Sequence, residues 1–421
     1  MNINNKYIAF LILLTLSNIA CPVFAQNVDA DAKKAGDPIK YSGVWLSGKY
    51  CDADKNFPVG KHYSLQFGEG SSNDLSKDLL ALIRKESKPN GNRLVDSIAP
   101  DDYTPQASVG KALVMACAIN YEHVDQVEIG GINKVMAEVG FDLVICDFSN
   151  RSVVVCLPGR IMRTDVTESA IVSEAKKKEM LEELYRKELP KQFVKLAKEH
   201  GPEIMGLDSA AVTKVTVFDE AKKILPNWLS ERYEDYFGNV LGSNFYEGCG
   251  LPILPFSRGN EMVFCAMREG VSDASSKVIE SAKESGSGVS FVLKKPEYQV
   301  ELVIPGFQTV TATSNDVGKL VQNCSYSRIT IKKGEDVIYT AQHDGSVRNL
   351  IPKGSSEKVP WLAYSDAVNE MFFKSSKQIK SKISASMKKQ DSPLLIIDPS
   401  AIKSLFVACA PWAIISKNQN P

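Results

Sequence analysis

The feature that most constrains the fold is a pair of apolar runs at residues 141–161, which read FDLVICDFSNRSVVVCLPGRI. Valine, isoleucine, leucine and phenylalanine dominate both runs, and a short polar stretch at 149–151 separates them. This pattern is typical of a β-hairpin with at least one buried face. A second pair of runs at 328–341, with a polar turn at 333–335, predicts another hairpin.

The order of predicted elements is similar in the two halves of the chain. Each half reads as strand, helix, one or more strands, hairpin and long charged helix, which is an α+β arrangement. We therefore predict a first α+β domain at 41–203, a second at 204–390, and a C-terminal strand and helix at 391–421. An internal duplication of one strand-helix-hairpin-helix unit would explain this order, and two unrelated α+β domains would fit it as well.

The bounds of the main elements are predicted from the helical spacing of apolar residues, from the prolines and from the polar stretches. Pro190 predicts a break within one long helix, because proline lacks a backbone N–H. Residues 111–120 predict a core strand followed by a polar loop, and residues 345–359 predict a loop. The predicted helices are 73–86, 164–198, 226–245 and 361–389.

Residues 1–25 have the features of a secretory signal peptide. Lys6 precedes an apolar run at 8–16, which is too short to cross a membrane, and small residues stand before the expected cleavage site. We predict cleavage before Gln26, followed by a flexible leader at 26–40 that is polar and charged.

Two alternatives to cleavage remain open, a lipid attached at Cys21 and an uncleaved anchor. Asn18 stands where a lipidation site prefers an apolar residue, and the apolar run is short for an anchor. Export predicts a bacterial cell-envelope protein that is periplasmic or secreted, with no membrane span in the mature chain.

The sequence contains nine cysteines, one of them in the signal peptide, so an even number remains in a compartment that permits disulfides. Cys146 would face Cys156 across the first hairpin if its loop had three residues. Cys249 and Cys265 bracket one loop and one strand, and these four are our disulfide candidates. The alternative for each of them is a buried free thiol.

Charge and motifs argue against several classes of function. Fifty basic residues balance fifty acidic ones, so no net charge favours nucleic acid or an anionic membrane. Sequence motifs for phosphate loops, dinucleotide loops, nucleophile elbows and zinc knuckles are absent, and we predict no cofactor and no metal. Asp52, Asp54 and Asn56 begin like a calcium loop, but Phe57 and Tyr63 replace its glycine and glutamate, which indicates an Asp-rich turn.

One local group of residues could carry acid–base chemistry. Glu122, His123 and Asp125 follow a predicted strand, where such side chains can exchange protons with a substrate. Without a second cluster beside them, they are better explained as part of a solvated loop, and we assign no catalytic residue. The aromatic series at 228–245 could bind a sugar or a partner, but its helical spacing favours core packing.

The first hairpin also resembles a unit found in envelope proteins. Its apolar strand at 143–147, its turn at 149–151 and its β-branched strand at 153–156 are similar to the α+β unit of the curli-secretion lipoprotein family. They also resemble the amino-terminal domain of the Tol-system propeller protein. The resemblance implies a non-catalytic role in envelope assembly and implies no functional residue.

We therefore expect an exported, non-enzymatic envelope protein that binds a protein partner or joins an assembly. The alternative is an extracytoplasmic hydrolase of cell-wall or polysaccharide substrates, with Glu122, His123 and Asp125 as its acid–base group. A carbohydrate-binding module that uses exposed Trp228, Tyr233 and Tyr236 is a third hypothesis. Convergence of the first three side chains with another carboxylate in a cleft would favour the hydrolase.

Overall fold

The structure is a computed structural model that describes thirteen segments of the chain. The predicted signal peptide, the leader before residue 39, the Asp52 and Asp54 turn and the C-terminal elements at 391–421 lie outside them. The described segments are 39–47, 56–63, 74–88, 91–98, 113–129, 132–147, 150–167, 172–207, 209–250, 252–256, 261–266, 289–354 and 361–387.

Two β-sheets dominate this α+β structure, and the first is a closed barrel of order β1–β2–β3–β4–β8–β7. β1 runs parallel to β2 and β8 runs parallel to β4, while the other neighbours are antiparallel. The strands are β1 (Lys40–Ser47), β2 (Leu113–Ile129), β3 (Ile132–Asp147), β4 (Ser152–Thr167), β5 (Ala210–Val217), β6 (Ile253–Leu254), β7 (Glu261–Ala266), β8 (Val289–Leu293), β9 (Tyr298–Ser314), β10 (Gly318–Lys333) and β11 (Asp336–Pro352).

The barrel has its own apolar interior. Alternate residues of each strand point inwards because side chains alternate between the two faces of a sheet. Trp45 packs edge-on against Phe264 at a ring-centroid distance of 4.8 Å, and fills the interior with small neighbours from β2. The buried residues of this interior are Trp45, Val114, Ala116, Ala118, Val144, Cys146, Val153, Cys156, Met262, Phe264 and Phe291.

β2, β3 and β4 form one long antiparallel ribbon, here called the first ribbon, whose strands have 16 or 17 residues. The other barrel strands have five to eight residues. The far part of the ribbon (121–129, 132–140 and 160–167) therefore extends past the barrel, and we call it the outer half.

A register shift divides the first ribbon at Asn120. Ile119 pairs with Phe141 and Tyr121 pairs with Gly140, so β2 has one extra residue between them. An inserted residue reverses the alternation of all side chains after it. Even-numbered residues of β2 face the barrel interior before the shift, and odd-numbered ones continue on that face after it. Gly140 lies under the Tyr121 ring, where a Cβ would come 2.2 Å from the ring.

The second sheet has the order β11–β10–β9–β5–β6. β9, β10 and β11 form an antiparallel meander, here called the second ribbon, and β5 runs parallel to β9. Gly334 and Glu335 connect β10 to β11, so the predicted second hairpin is confirmed. The strand β11 continues to Pro352, however, and the prediction of a loop from residue 345 is wrong, because Cys324 of β10 still pairs with Ser346.

The helices are α1 (Asp74–Glu86), α2 (Glu174–Glu183), α3 (Leu189–Glu199), α4 (Asp219–Lys222), α5 (Asn227–Ser230), α6 (Tyr233–Cys249) and α7 (Trp361–Met387). β4 occupies the residues predicted as the start of the 164–198 helix, and α2 begins only after Ser173, whose hydroxyl accepts the Lys176 N–H. The predicted break at Pro190 is a π-helical turn at Leu184–Glu188, which joins α2 to α3.

A second, larger core lies outside the barrel and includes residues of both halves of the chain. Phe193 of α3, Phe237 of α6 and Phe372 of α7 are fully buried in it. Burial of a side chain of this size contributes about 1.5–3 kcal/mol. α7 lies close to the second ribbon, where a Cβ on Gly345 would come 2.1 Å from the carbonyl oxygen of Ala367. The division into domains at residue 203 remains a prediction.

Candidate functional site

The three residues singled out in the sequence lie within β2, not in a solvated loop as predicted. The register shift at Asn120 explains the error, because the strand continues beyond residue 120 with its faces exchanged. Glu122 faces the larger core, whereas His123 and Asp125 lie on the opposite face with Glu138 of β3. The structure therefore splits the trio and brings a different carboxylate to two of its members.

Glu122 is bound on its own face by three donors. The backbone N–H groups of Val59 and Gly60 donate to its two carboxylate oxygens at 2.7 and 2.8 Å, and the Tyr185 hydroxyl donates to Oε2. Burial raises the pKa of Glu122, and these hydrogen bonds offset part of the effect. The residue thus attaches the turn before Lys61 and the π-helical turn to the ribbon.

Glu138 is the centre of the opposite cluster, and its side chain is fully buried. Arg160 of β4 donates to its Oε1 through Nε, and the Tyr121 hydroxyl donates to the same oxygen at 2.5 Å. Arg160 also donates through Nη1 to Asn369 of α7. The cluster therefore connects all three strands of the outer half to the long helix.

His123 lies between two carboxylates. Its Nε2 is 3.5 Å from Glu138 Oε2 and 3.7 Å from Asp125 Oδ2. The indole of Trp228, on α5, stacks on the imidazole at a centroid distance of 4.3 Å, and its N–H donates to Asp125 Oδ1 at 2.9 Å. The Tyr236 ring of α6 meets the imidazole edge-on at 5.8 Å.

The electrostatic environment shifts the pKa values of Glu138 and Asp125 in opposite directions. Burial alone would raise the pKa of Glu138, but the charges of Arg160 and His123 outweigh it and hold the pKa below its usual value. Burial raises the pKa of Asp125, and His123 and the Trp228 N–H offset only part of that effect.

Several buried polar atoms of this cluster have no hydrogen-bond partner. They are the two ring nitrogens of His123, Asp125 Oδ2, Glu138 Oε2 and Arg160 Nη2. Buried polar groups normally have such partners, so an unsatisfied set that converges on one place marks a special site. Chemically, the arrangement can hold or transfer a proton between an imidazole and two carboxylates.

Sequence reasoning missed Glu138, Arg160 and Tyr121 because only the pairing of distant strands brings them together, and no local motif links them. The only available signal was a charged residue at the centre of a run that otherwise reads as buried. Glu138 lies directly opposite His123 in the β2–β3 register, a relation that depends on the unpredicted extra residue at Asn120.

The disulfide candidates have free thiols where the structure describes them, at Cys146, Cys156 and Cys249. Four residues, not three, separate the paired residues that end β3 and begin β4, and Cys146 pairs with Val153 while Cys156 pairs with Val144. The two cysteines are therefore diagonal neighbours inside the barrel. The side chain of Cys265 lies outside the described residues.

The aromatic series of α5 and α6 packs largely inside the protein. Phe237, Leu241 and Phe245 belong to the larger core, Tyr236 is buried, and Trp228 is half-buried against His123. The burial of Tyr236 argues against a flat, exposed sugar-binding platform.

Two further features of the described residues concern ligands and membranes. No group of three or more metal-ligating side chains comes together among them. None of the described helices combines the length and apolar character that crossing a membrane requires.

No protein-family model and no curated protein matches this sequence. Solved structures with some similarity include a hypothetical protein of Chlamydia trachomatis, 12% identical over 43% of this chain and 96% of the other, with a TM-score of 0.23. A neuraminyllactose-binding hemagglutinin homologue of Helicobacter pylori is 16% identical over 43% and 87%, with a TM-score of 0.24. A minor lipoprotein of Acinetobacter baumannii is 8% identical over 42% and 94%, with a TM-score of 0.19. At these values the similarity carries no conclusion about fold or function, and neither family resembled by the hairpin is among the three.

Proposed function

We propose that this protein is exported to the cell envelope and binds a protein partner through the open edge of β11. Export rests on the signal-peptide features of residues 1–25. Binding rests on one structural observation, which is that β11 is a 17-residue strand at the end of its sheet. Among the described strands, only β10 pairs with it.

The backbone groups on the outer side of β11 can be assigned from one hydrogen bond. The N–H of Ser346 donates to the Glu370 carboxylate of α7 at 2.8 Å, so it points away from β10. Backbone groups of alternate residues point to the same side of a strand. Thr340, Gln342 and Asp344 therefore present their N–H and C=O groups on the outer edge, before α7 covers the strand at Ser346.

An edge of this kind is suited to strand addition by an extended segment of another protein. Such segments pair through their backbone, and side chains beside the edge add specificity. Val337 and Ile338 are 39% and 43% exposed next to the open stretch and offer apolar contact at its start. The proposed partner is therefore a protein with an extended segment that pairs with residues 338–344.

Proline substitutions on the outer edge test this proposal. Thr340→Pro with Gln342→Pro removes two outward N–H donors and leaves the bonds between β10 and β11 in place. Thr340→Ala with Gln342→Ala is the matched control, because it keeps both donors. Ala341→Pro removes an inward bond and shows the effect of general damage to the strand.

The readout is cross-linking in living cells from a photoreactive residue at Ile338, with the exposed Lys178 of α2 as the control position. We expect a defined protein adduct at Ile338 that is lost in the double proline variant and kept in the double alanine variant. An adduct that persists with both prolines would contradict strand addition, while an adduct equally strong at Lys178 would indicate non-specific contact.

The export proposal has a separate test. The amino terminus of the protein isolated from the cell envelope should begin at Gln26, because cleavage is predicted there. A protein recovered from the cytoplasm with its first 25 residues intact would contradict export and leave the edge of β11 to be tested in that compartment.

A second candidate function is hydrolysis of a cell-wall or polysaccharide substrate, and the observation that favours it is the convergence of His123, Asp125 and Glu138. An imidazole beside a carboxylate can act as a general acid and base. Asp125→Asn and Glu138→Gln should each then abolish release of soluble fragments from purified cell wall by the folded protein. Absence of any release by the wild-type protein would remove this candidate.

A further inference from the structure

The ionised groups around His123 carry a surplus negative charge. Asp125 and Glu138 contribute two carboxylates, and Arg160 contributes one guanidinium ion. The side chains of these three residues are 13%, 0% and 8% exposed, so solvent screens them weakly. A buried net charge is costly, and one additional proton within the cluster removes it.

The surroundings of His123 fit an imidazolium ion. Its Nε2 lies within 3.7 Å of an oxygen of both carboxylates. The rings of Trp228, Tyr236 and Tyr121 lie at centroid distances of 4.3, 5.8 and 5.9 Å from the imidazole. The face of the stacked Trp228 ring and the two carboxylates stabilise a cation at this position.

The same residues join separate elements of the fold. His123 and Asp125 belong to β2, Glu138 to β3, Trp228 to α5 and Tyr236 to α6. We propose that one additional proton, held on either His123 or Asp125, acts as a latch that keeps α5 and the start of α6 on the outer half of the first ribbon. Loss of this proton at alkaline pH leaves two carboxylates facing a neutral imidazole, and the helices open more often.

The other groups around the latch also bear on its charge. β2 and α6 contribute the Tyr121 and Tyr236 hydroxyls, and burial raises the pKa of both, so they stay neutral. β4 contributes Arg160, and α6 contributes Glu247, whose pKa burial also raises. α7 contributes Asn369, which has no charge, to Arg160. His123 and Asp125 are therefore the two groups on which the additional proton can reside.

Nuclear magnetic resonance of histidine nitrogens tests the protonation directly, since the chain has only four histidines. His123→Gln assigns the signal, and His62→Gln, at an exposed position, is the matched control. We expect the cluster to hold one additional proton, on the His123 ring or on the Asp125 carboxyl group, at pH 6 and to have released it at pH 9. A neutral ring with an ionised Asp125 throughout this range would overturn the proposal.

Hydrogen exchange of the backbone amides of residues 227–249 tests whether α5 and α6 open more often when the proton is lost. After correction for intrinsic exchange, the opening equilibrium should rise by about tenfold per pH unit over the range in which the open form has released the proton and the closed form still holds it. Asp125→Asn removes the surplus charge and keeps an acceptor for Trp228, so its opening should be independent of pH. An unchanged slope in Asp125→Asn would overturn the latch, even if His123→Gln fails to fold.

Discussion

The two ribbons have the same topology and differ in what covers them. Each is an antiparallel meander of three strands with 16 or 17 residues, and each is extended by a strand parallel to its first member, β1 beside β2 and β5 beside β9. The outer half of the first ribbon contacts packed elements on both faces and contains buried charges. The second ribbon leaves one face with exposed polar residues such as Arg328, Thr340 and Gln342. Coverage therefore decides where polar side chains lie, even when topology is the same.

The two ribbons also have similar positions in the order of elements along the chain. In each half, a strand and helices precede the ribbon, and a helical segment follows it, as α2 and α3 in the first half and α7 in the second. The larger core contains residues of both halves, however. The proposed boundary between the domains can be tested by expressing residues 41–203 and 204–390 as separate chains. Each chain should then unfold cooperatively if the boundary is correct.

The largest expected difference between the ribbons concerns their ion pairs. Glu138→Ala leaves Arg160 buried without its partner and should cost about 3–5 kcal/mol of unfolding free energy. Glu301→Ala breaks the pair with Lys332 on the second ribbon, where both side chains are about one-third exposed, and should cost about 0–1 kcal/mol. Denaturant unfolding of both variants measures the contrast, and equal costs would contradict the assignment of one pair as buried and the other as exposed.

His343 of the second ribbon and Asp125 of the first ribbon should change the stability of the protein in opposite directions as the pH falls. Burial lowers the pKa of His343, on the second ribbon, to about 4 from an ordinary value of 6.5. Between these two pH values, His343 is protonated in the unfolded chain and neutral in the folded protein. The free energy of unfolding therefore falls by up to about 3 kcal/mol as the pH drops from 6.5 to 4. Asp125 has a raised pKa, so its contribution is present at low pH and is lost as the pH rises through its folded value.

His343→Gln should therefore reduce the acid sensitivity of unfolding, measured by denaturant titration between pH 4 and 7. His62→Gln is the control, since His62 is exposed. If the exposed and the buried variant respond alike, burial of His343 is not the cause of the acid sensitivity.

The contact of α7 with the second ribbon should make one glycine sensitive to a single methyl group. Gly345→Ala places a Cβ against the α7 backbone and should cost about 1–3 kcal/mol, because a packed helix cannot move locally. Gly306→Ala, where nothing lies within 4 Å, should leave thermal stability nearly unchanged. A tolerant Gly345 would mean that α7 can shift along the strand.

The smallest expected effects lie in the two hairpin turns. Arg151 has a φ of 47° before β4, and Gly334 has a φ of 61° before β11. Arg151→Gly should stabilise the protein by about 1 kcal/mol, and Gly334→Ala should destabilise it by about the same amount, since this backbone region disfavours a Cβ. Opposite shifts of the melting temperature would confirm the positive φ angles at both turns, and shifts of the same sign would contradict them.

Local patterns were enough to predict the α+β class, both hairpins and α7. The dense β-branched residues on both sides of residues 149–151 lie in β3 and β4, as the pattern predicts. The periodic aromatic residues at 228–245 lie in α5 and α6. Pro190 correctly indicated an irregular helix, since the π-helical turn ends just before it.

The site could not be predicted because its geometry depends on long-range pairing. Glu122, His123 and Asp125 look like a surface loop when read alone, since three polar residues follow an apolar run. Strand alternation places Glu122 on the opposite face from the other two, and the extra residue at Asn120 decides which face each side chain takes. The closure of the barrel by the short strands β7 and β8 is likewise a tertiary event that periodicity does not encode.

The bond between the Ser346 N–H and Glu370 also limits how copies of this protein can aggregate. An uninterrupted edge of 17 residues would allow β11 strands of many molecules to stack into an endless sheet. The carboxylate occupies one rung near the middle of the strand, so a neighbour can add only a short segment on either side of it. A single acidic side chain on a helix thereby interrupts the continuous edge that such stacking would need.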